Sequence, residues 1–292
     1  MNLRAAADSL TGLSVGDALG APFEMRPPMG DEAAFVPPPA PWRWTDDTEM
    51  ACALLRVAQR GGRVDQDELA RAFALHCSDD RGYGRGARIL LASMREGVPW
   101  RAAAGALFAG RGSAGNGAAM RVAPLGALFG ADPDTAAREA ALSAEVTHRH
   151  PEGVAGAVAV ALAAAFAASR GTAAGSGLLR SVLNQLPPSD VRDGIGRATR
   201  IAPGTDPGEA AADLGNGSHA LAQDTVPFAL WVAAAHFEDY PAAIEACVRA
   251  GGDVDSTCAI VGGIVAVNVG EAGIPRDWID AREPLPEWFH KP

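Results

Sequence analysis

The first twenty residues limit the fold more than any other stretch of the chain. Leu3, Ala6, Ala7, Leu10, Leu13 and Ala18 fall at helical spacing, with Gly12, Ser14, Gly16 and Gly20 interleaved among them. A stripe of that period predicts a helix over residues 3–19, stopped by Gly20-Ala21-Pro22. Small residues at the same spacing let the backbone of another element come close, so this helix is suited to tight helix-on-helix packing. Alanine and glycine remain abundant throughout the 292 residues, apolar segments recur at helical spacing, and neither an alternating strand nor a repeat stands out. These features predict an all-α fold of about a dozen helices. The even spread of apolar residues predicts one compact domain over residues 1–292.

Two acidic stretches share one grammar. Gly251-Gly252-Asp253-Val254-Asp255-Ser256-Thr257 runs into the apolar CAIVGGIVAV, and Trp44-Thr45-Asp46-Asp47-Thr48-Glu49 runs into MACALLRVA. Short acceptors before apolar helices are good N-caps, so Asp255 is a candidate cap and Asp46 with Glu49 has capping-box spacing. If the two helix starts meet in space, however, Asp46, Asp47, Asp253 and Asp255 form a cluster of negative charge. Such a cluster must protonate or bind cations, and hard divalent ions with all-oxygen ligands answer that need. Glu24, just after the first helix, reads on its own as a solvated loop carboxylate.

Between these boxes the expected helices are 66–76, 86–96 and 99–109, then one from Asp132-Pro133 to about residue 147. Further helices are expected from Pro151, over 224–237 and over 241–250. Residues 25–43 hold six prolines and are expected to form a covering loop, of the kind that often serves as a lid. Gly110-Arg111-Gly112-Ser113-Ala114-Gly115-Asn116-Gly117 runs into Ala118-Ala119-Met120-Arg121. A glycine-rich loop entering a helix exposes amides that suit a pyrophosphate, although many such loops are plain connectors. His148 and His150 lie between two helices, where capping or solvated roles are common, and they are the wrong ligand type for a hard-oxygen site.

The formal charge of −10, with a single lysine (Lys291) among 25 basic residues, argues against a nucleic-acid or anionic-membrane surface. Cys52, Cys77, Cys247 and Cys258 form no CxxC pair and are expected to be buried free thiols of a reducing compartment. No signal peptide or transmembrane span is expected, and the predicted location is the cytoplasm.

Four separated stretches in order resemble the ADP-ribosylglycohydrolases: Gly16-Asp17-Ala18-Leu19-Gly20-Ala21-Pro22-Phe23-Glu24, Thr45-Asp46-Asp47-Thr48, Gly115-Asn116-Gly117-Ala118-Ala119-Met120-Arg121 and Gly251-Gly252-Asp253-Val254-Asp255-Ser256. Thr147-His148 with Pro151-Glu152-Gly153 is similar too, and the likeness spans residues 5–270. The resemblance implies a helical domain with a binuclear cleft for two Mg²⁺ or Mn²⁺ ions, ligated by Thr45, Asp46, Asp47, Asp253, Asp255 and Ser256. It implies Glu24, Asp46 and Asp255 as catalytic residues, Glu24 being ligand, base or gate. Ser113, Gly115, Asn116, Gly117, Met120 and His148 become the substrate-binding set, with Asn116 and its glycine neighbours at the diphosphate and ribose. The implied partner is the ADP-ribose moiety of a modified protein or small molecule, met by a monomer. The implied reaction is cleavage at C1″ of the distal ribose, foremost in ADP-ribosylarginine, through an oxocarbenium-like state. Serine, O-acetyl-ADP-ribose and polymeric linkages are the enzymatic alternatives, and a non-catalytic ADP-ribose binder is the other class. Such a binder would be expected to lack a carboxylate, whereas all five are present here. Ser256 stands where threonine is commoner and keeps the hydroxyl. Ala114 stands where relatives carry an aromatic, for which Tyr83 or a tryptophan is the candidate substitute.

Overall fold

The computed structural model describes residues 1–24, 34–169 and 175–291. Among these, sixteen α-helices form the regular structure and β-pairing is limited to two isolated bridges. The first eight are α1 (Leu3–Gly20), α2 (Asp46–Gly61), α3 (Gln66–His76), α4 (Arg85–Arg95), α5 (Trp100–Gly110), α6 (Ala123–Leu128), α7 (Pro133–Glu145) and α8 (Pro151–Ala168). The others are α9 (Ser176–Gln185), α10 (Asp190–Ala198), α11 (Pro207–Leu214), α12 (Ala222–Ala235), α13 (Tyr240–Ala250), α14 (Val254–Val269), α15 (Arg276–Ala281) and α16 (Glu287–His290). The fold is all-α and single-domain, as expected, with more and shorter helices than the periodicity suggested.

The partner that the small face of α1 requires is α14, lying antiparallel to it. A Cβ on Gly12 would fall 2.3 Å from the Gly262 carbonyl oxygen, one on Gly16 2.3 Å from that of Cys258, and one on Gly20 2.8 Å from that of Val254. Both helices therefore meet through residues four apart, and only hydrogen atoms fit between the backbones. Ser9 Oγ donates to the Gly263 carbonyl at 2.6 Å, and Tyr240 Oη donates to that of Gly12 at 2.6 Å, which pins the register. The consequence for function is positional: the last turn of α1 is held against the first turn of α14.

Around this pair, α6, α8 and α12 complete the core. Helix α8 is long and apolar enough to cross a membrane by length and composition alone, but 61% of it is buried within the fold. Of the four cysteines, Cys52, Cys247 and Cys258 are buried, whereas Cys77 ends α3 half-exposed, which corrects the expectation of four buried thiols. The covering-loop expectation holds only in part. Residues 34–43 are irregular, but they pack onto the C-terminal segment: Trp42 N–H donates to the Ala281 carbonyl at 2.7 Å, and Glu283 N–H to that of Trp42 at 2.9 Å. The remainder of that loop, 25–33, lies outside the described residues.

Candidate active site

Asp17, in the last turns of α1, organises the first acidic box. This fully buried carboxylate accepts from Thr45 N–H at 2.9 Å and Thr45 Oγ1 at 2.8 Å, and from Thr48 N–H at 3.1 Å and Thr48 Oγ1 at 2.5 Å. The box therefore opens differently from the expected Asp46 and Glu49 capping box. Thr45 is the N-cap, accepting from Asp47 N–H, and Asp46 is the first helical residue. Glu49 turns away, accepting from Ser78 N–H at 2.9 Å, Ser78 Oγ at 2.6 Å and Tyr83 Oη at 2.8 Å. With Asp17 satisfying the donors at this helix start, Asp46 and Asp47 have no capping duty and face inward.

The second box is shaped by two left-handed glycines, Gly251 (φ 66°) and Gly252 (φ 81°). Their turn lets Asp253 N–H donate to the Asn216 carbonyl at 3.0 Å. The N-cap of α14 is Asp253 rather than Asp255, and its side chain makes no cap bond. Its Oδ2 instead accepts from Asn116 Nδ2 at 2.7 Å, while Asp255 Oδ1 accepts from Ser256 N–H at 2.9 Å. Neither acidic pair behaves as a simple cap.

The two boxes meet. Glu24, Asp46, Asp47, Asp253, Asp255 and Ser256 line one cavity of about 700 Å³ together with Ser113, Gly115, Asn116, Gly117, Met120 and His148. Of the residues anticipated at the site, only Thr45 is set behind the wall, where its hydroxyl reaches Asp17 and, at 3.3 Å, Asp47 Oδ1. Burial, reinforced by the charges of Asp17, Asp253 and Glu49, pushes the Asp46 carboxyl up to about 8. Burial and neighbouring aspartates likewise raise Asp47 and Asp255 well above the carboxylate range, and burial lifts Asp17 to about 6. Glu24, exposed at the mouth, is raised by partial desolvation and then by Asp253. Asp47 Oδ2 is buried without a hydrogen-bond partner. Among the described residues no trio of His, Cys, Asp and Glu converges as a ready-made cage. The donor set is nevertheless all oxygen, crowded with negative charge and short of one partner, and that chemistry fits hard divalent cations.

The glycine-rich loop departs from the expected helix-terminus cradle. It enters a single 3-10 turn, Asn116–Ala118, and the amides at the entry to that turn are already committed. Gly115 N–H donates to Ser113 Oγ at 3.1 Å, and Asn116 N–H to the Ala220 carbonyl at 3.1 Å. The Asn116 side chain also donates to Thr225 Oγ1 at 3.0 Å, so it ties the loop to the second acidic box. The His148 ring lies over this loop: a Cβ on Gly117 would sit 3.0 Å from Nε2, and one on Gly115 3.3 Å. His150 caps α8, its Nδ1 accepting from Glu152 N–H at 3.2 Å.

Basic and aromatic groups share the cavity with the acids. Arg85, Arg111 and His219 line it, as does Phe108. Tyr83 is buried with its hydroxyl on Glu49, and Trp42 and Trp44 are core residues, so none of them supplies the aromatic missing at Ala114. Phe108 is 57% exposed, and it and Ala109 hold left-handed backbone angles (φ 51° and 59°) where α5 leaves helical geometry. That conformation is costly for residues with a Cβ and aims the ring at the cavity. Asp17, one of two aspartates on α1, was discoverable because it falls among the small residues Gly16, Ala18 and Gly20 of the packing stripe. Phe108 was not, because nothing in its helical spacing signals the break.

Comparisons with known proteins agree on one family. The model of the ADP-ribosylglycohydrolase family matches residues 2–291. A protein of unassigned function from Archaeoglobus fulgidus is 32% identical over 285 residues, covering 93% of this chain and 89% of the relative. Human ADP-ribosylhydrolase ARH3 is 29% identical, covering 80% and 73%, and the ADP-ribosylarginine hydrolase Tri1 of Pseudomonas putida is 25% identical, covering 94% and 73%. A solved chain described as an ADP-ribosylglycohydrolase-related protein complex superposes with a TM-score of 0.69 at 26% identity, covering 97% of this chain and 93% of its own.

Proposed function

The chain belongs to the ADP-ribosylglycohydrolase family and is a hydrolase of glycosidic bonds to ADP-ribose; from that premise we propose that it uses two divalent cations, Mg²⁺ or Mn²⁺, to free ADP-ribose from modified arginine side chains. The observation that carries this reading is the meeting of two acidic helix starts, roughly two hundred residues apart in sequence, in one cavity with the Gly115–Gly117 loop.

Asp46, Asp47, Asp253, Asp255 and the hydroxyls of Thr45 and Ser256 would hold the cations. When bound, the cations supply positive charge and Lewis acidity at the ribose end of the ligand. The chain's own groups supply the rest. Asp17 holds Thr45 and Thr48 so that Asp46 and Asp47 stay turned inward. The acidic end receives the distal ribose, the loop under His148 receives the diphosphate, and Phe108 offers a face to the base. Glu24 stands at the mouth with a raised proton affinity, which suits it to accept the proton of the attacking water at C1″. Positive charge developing on the sugar as the bond breaks is stabilised by the surrounding carboxylates. A carboxylate at the mouth also pairs with a guanidinium, which favours arginine as the acceptor.

The test is release of ADP-ribose from arginine-linked and serine-linked peptides by protein that has been stripped with EDTA and then given Mg²⁺ or Mn²⁺. We expect release only with the cation, and faster from the arginine linkage. Full turnover after exhaustive chelation removes the two-metal reading, and faster release from serine removes the arginine one. Asp255→Asn separates ligation from helix capping, because asparagine caps about as well as aspartate. It is expected to fold, to gain less thermal stability from Mg²⁺ than the parent, and to release no ADP-ribose. Parent-like turnover with an unchanged Mg²⁺-dependent melting shift would return the residue to a capping role.

A further inference from the structure

Arg121 is a guanidinium buried completely in the core, with no carboxylate partner among the described residues. Its plane covers the Phe73 ring, 4.5 Å from the centroid. One Nη2 donates to the Ser143 carbonyl at 3.0 Å and to Thr147 Oγ1 at 2.9 Å, and Nη1 faces the Met50 sulfur at 3.6 Å. A fully desolvated cation is expensive, and two neutral acceptors with a sulfur offset little of that cost, so packing alone is a poor reason for it. What distinguishes its surroundings is the group on the far side of Thr147: Thr147 Oγ1 lies 2.7 Å from His148 Nδ1.

The hydrogen bonds fix the direction of this chain. A guanidinium can only donate, so Thr147 accepts from Arg121 and retains one hydroxyl proton. If His148 Nδ1 carried a proton, that hydroxyl proton would face no acceptor, since Arg121 and His148 are the contacts of this oxygen among the described residues. Thr147 is itself buried, so an unmatched proton there is costly. The arrangement that satisfies both the Thr147 hydroxyl and Nδ1 has Thr147 donating to Nδ1, which leaves the imidazole proton on Nε2. That nitrogen is the one turned toward Gly115 and Gly117 in the cavity. The cationic form is disfavoured as well: burial, and then the charge of Arg121, depress His148 to about 3.

We propose that Arg121, acting through Thr147, is a positioning residue that locks His148 as the neutral Nε2–H tautomer, giving the cavity one fixed donor for a diphosphate oxygen above the Gly115–Gly117 loop. The proposal rests on the ADP-ribose reading for the identity of the acceptor, but the tautomer is a property of the free protein. The device provides directionality without charge. A neutral donor held from behind loses no rotamer freedom on binding and leaves the acidic end of the cavity without a competing cation.

The experiment has two readouts on the full-length protein. Two-bond ¹H–¹⁵N correlation spectra of histidine-labelled protein at neutral pH report the tautomer of His148, and calorimetry with ADP-ribose in Mg²⁺ reports affinity. The parent is expected to show a protonated Nε2 with Nδ1 as acceptor. Thr147→Val removes the link while keeping the shape, and is expected to lose the single tautomer and weaken ADP-ribose binding about tenfold. Thr147→Ser keeps the hydroxyl and is expected to restore both. A parent His148 protonated on Nδ1 or doubly protonated overturns the proposal, as does a Thr147→Val protein with parental tautomer and affinity, or a Thr147→Ser protein no better than Thr147→Val. A parent that shows the expected tautomer but binds no ADP-ribose leaves the lock standing and removes the functional reading instead.

Discussion

The α1–α14 seam, whose ends carry acids of the cavity, and the α4–α5 flank, which lines another side of it, are built in opposite ways. In the seam thirteen residues of α1 are buried, backbone meets backbone, and side-chain hydroxyls close onto carbonyls. On the flank only Leu90 and Leu91 of α4 and Trp100 and Ala104 of α5 are buried, and Ile89, Val98 and Phe108 are three of the seven large apolar residues left exposed among the described residues. The seam fixes the spacing of Glu24, Asp17 and the α14 acids. The flank carries Phe108, which on the proposed reading meets the ligand's base. On the proposed reading, groups that would need sub-ångström agreement with cations sit on the closely packed side, and groups that need only shape and surface sit on the more exposed one.

The contrast can be broken most forcefully at its glycines. Gly16→Ala puts a methyl 2.3 Å from the Cys258 carbonyl oxygen, which only separation of the helices can relieve. We expect a loss of about 3 kcal/mol in urea unfolding, with the acidic boxes displaced and metal-dependent stabilisation reduced. Gly86→Ala on the flank meets nothing closer than the Phe108 ring at 3.7 Å, and it is expected to be neutral or stabilising because alanine favours the helix. Equal effects at the two glycines would erase the distinction between the regions.

Phe108→Ala sharpens the other side. The ring is exposed in the free protein, so melting should hardly change, while ADP-ribose affinity is expected to fall about tenfold if the base rests on it. Unchanged affinity in calorimetry would detach the rim from ligand binding. The smallest effect is expected from Ala109→Gly, which relieves a left-handed alanine (φ 59°) and should raise stability by about 0.5–1 kcal/mol. A destabilised Ala109→Gly would mean that the break in α5 is not strained.

Much of this protein was legible before its structure. Helical periodicity and small residues gave an all-α class, and the proline and aspartate at 132–133 marked the start of α7 where it is found. The acidic boxes drew attention because carboxylates at the head of apolar helices are conspicuous. Their detailed roles did not follow, since a capping carboxylate and a site carboxylate look alike in sequence. Thr45 proved to be the first cap, and Asp253 the second cap position without a cap bond. The glycine-rich loop was recognisable, but the commitment of its Gly115 and Asn116 amides to Ser113 and Ala220 was not, because Ala220 is about a hundred residues away.

By itself the sequence determined the local elements, through periodicity, caps and breaks that act within a few residues, and it determined that a crowd of hard oxygen donors exists. Tertiary structure alone decided that the small face of α1 meets α14, that Asp17 relieves Asp46 and Asp47 of capping, and that Phe108 rather than Tyr83 faces the cavity. It also decided that Arg121 stands behind Thr147 and His148. Each of these depends on contacts between residues far apart in the chain, whose energies are settled by packing geometry and by the matching of buried donors with acceptors, and neither is encoded in the spacing of one segment.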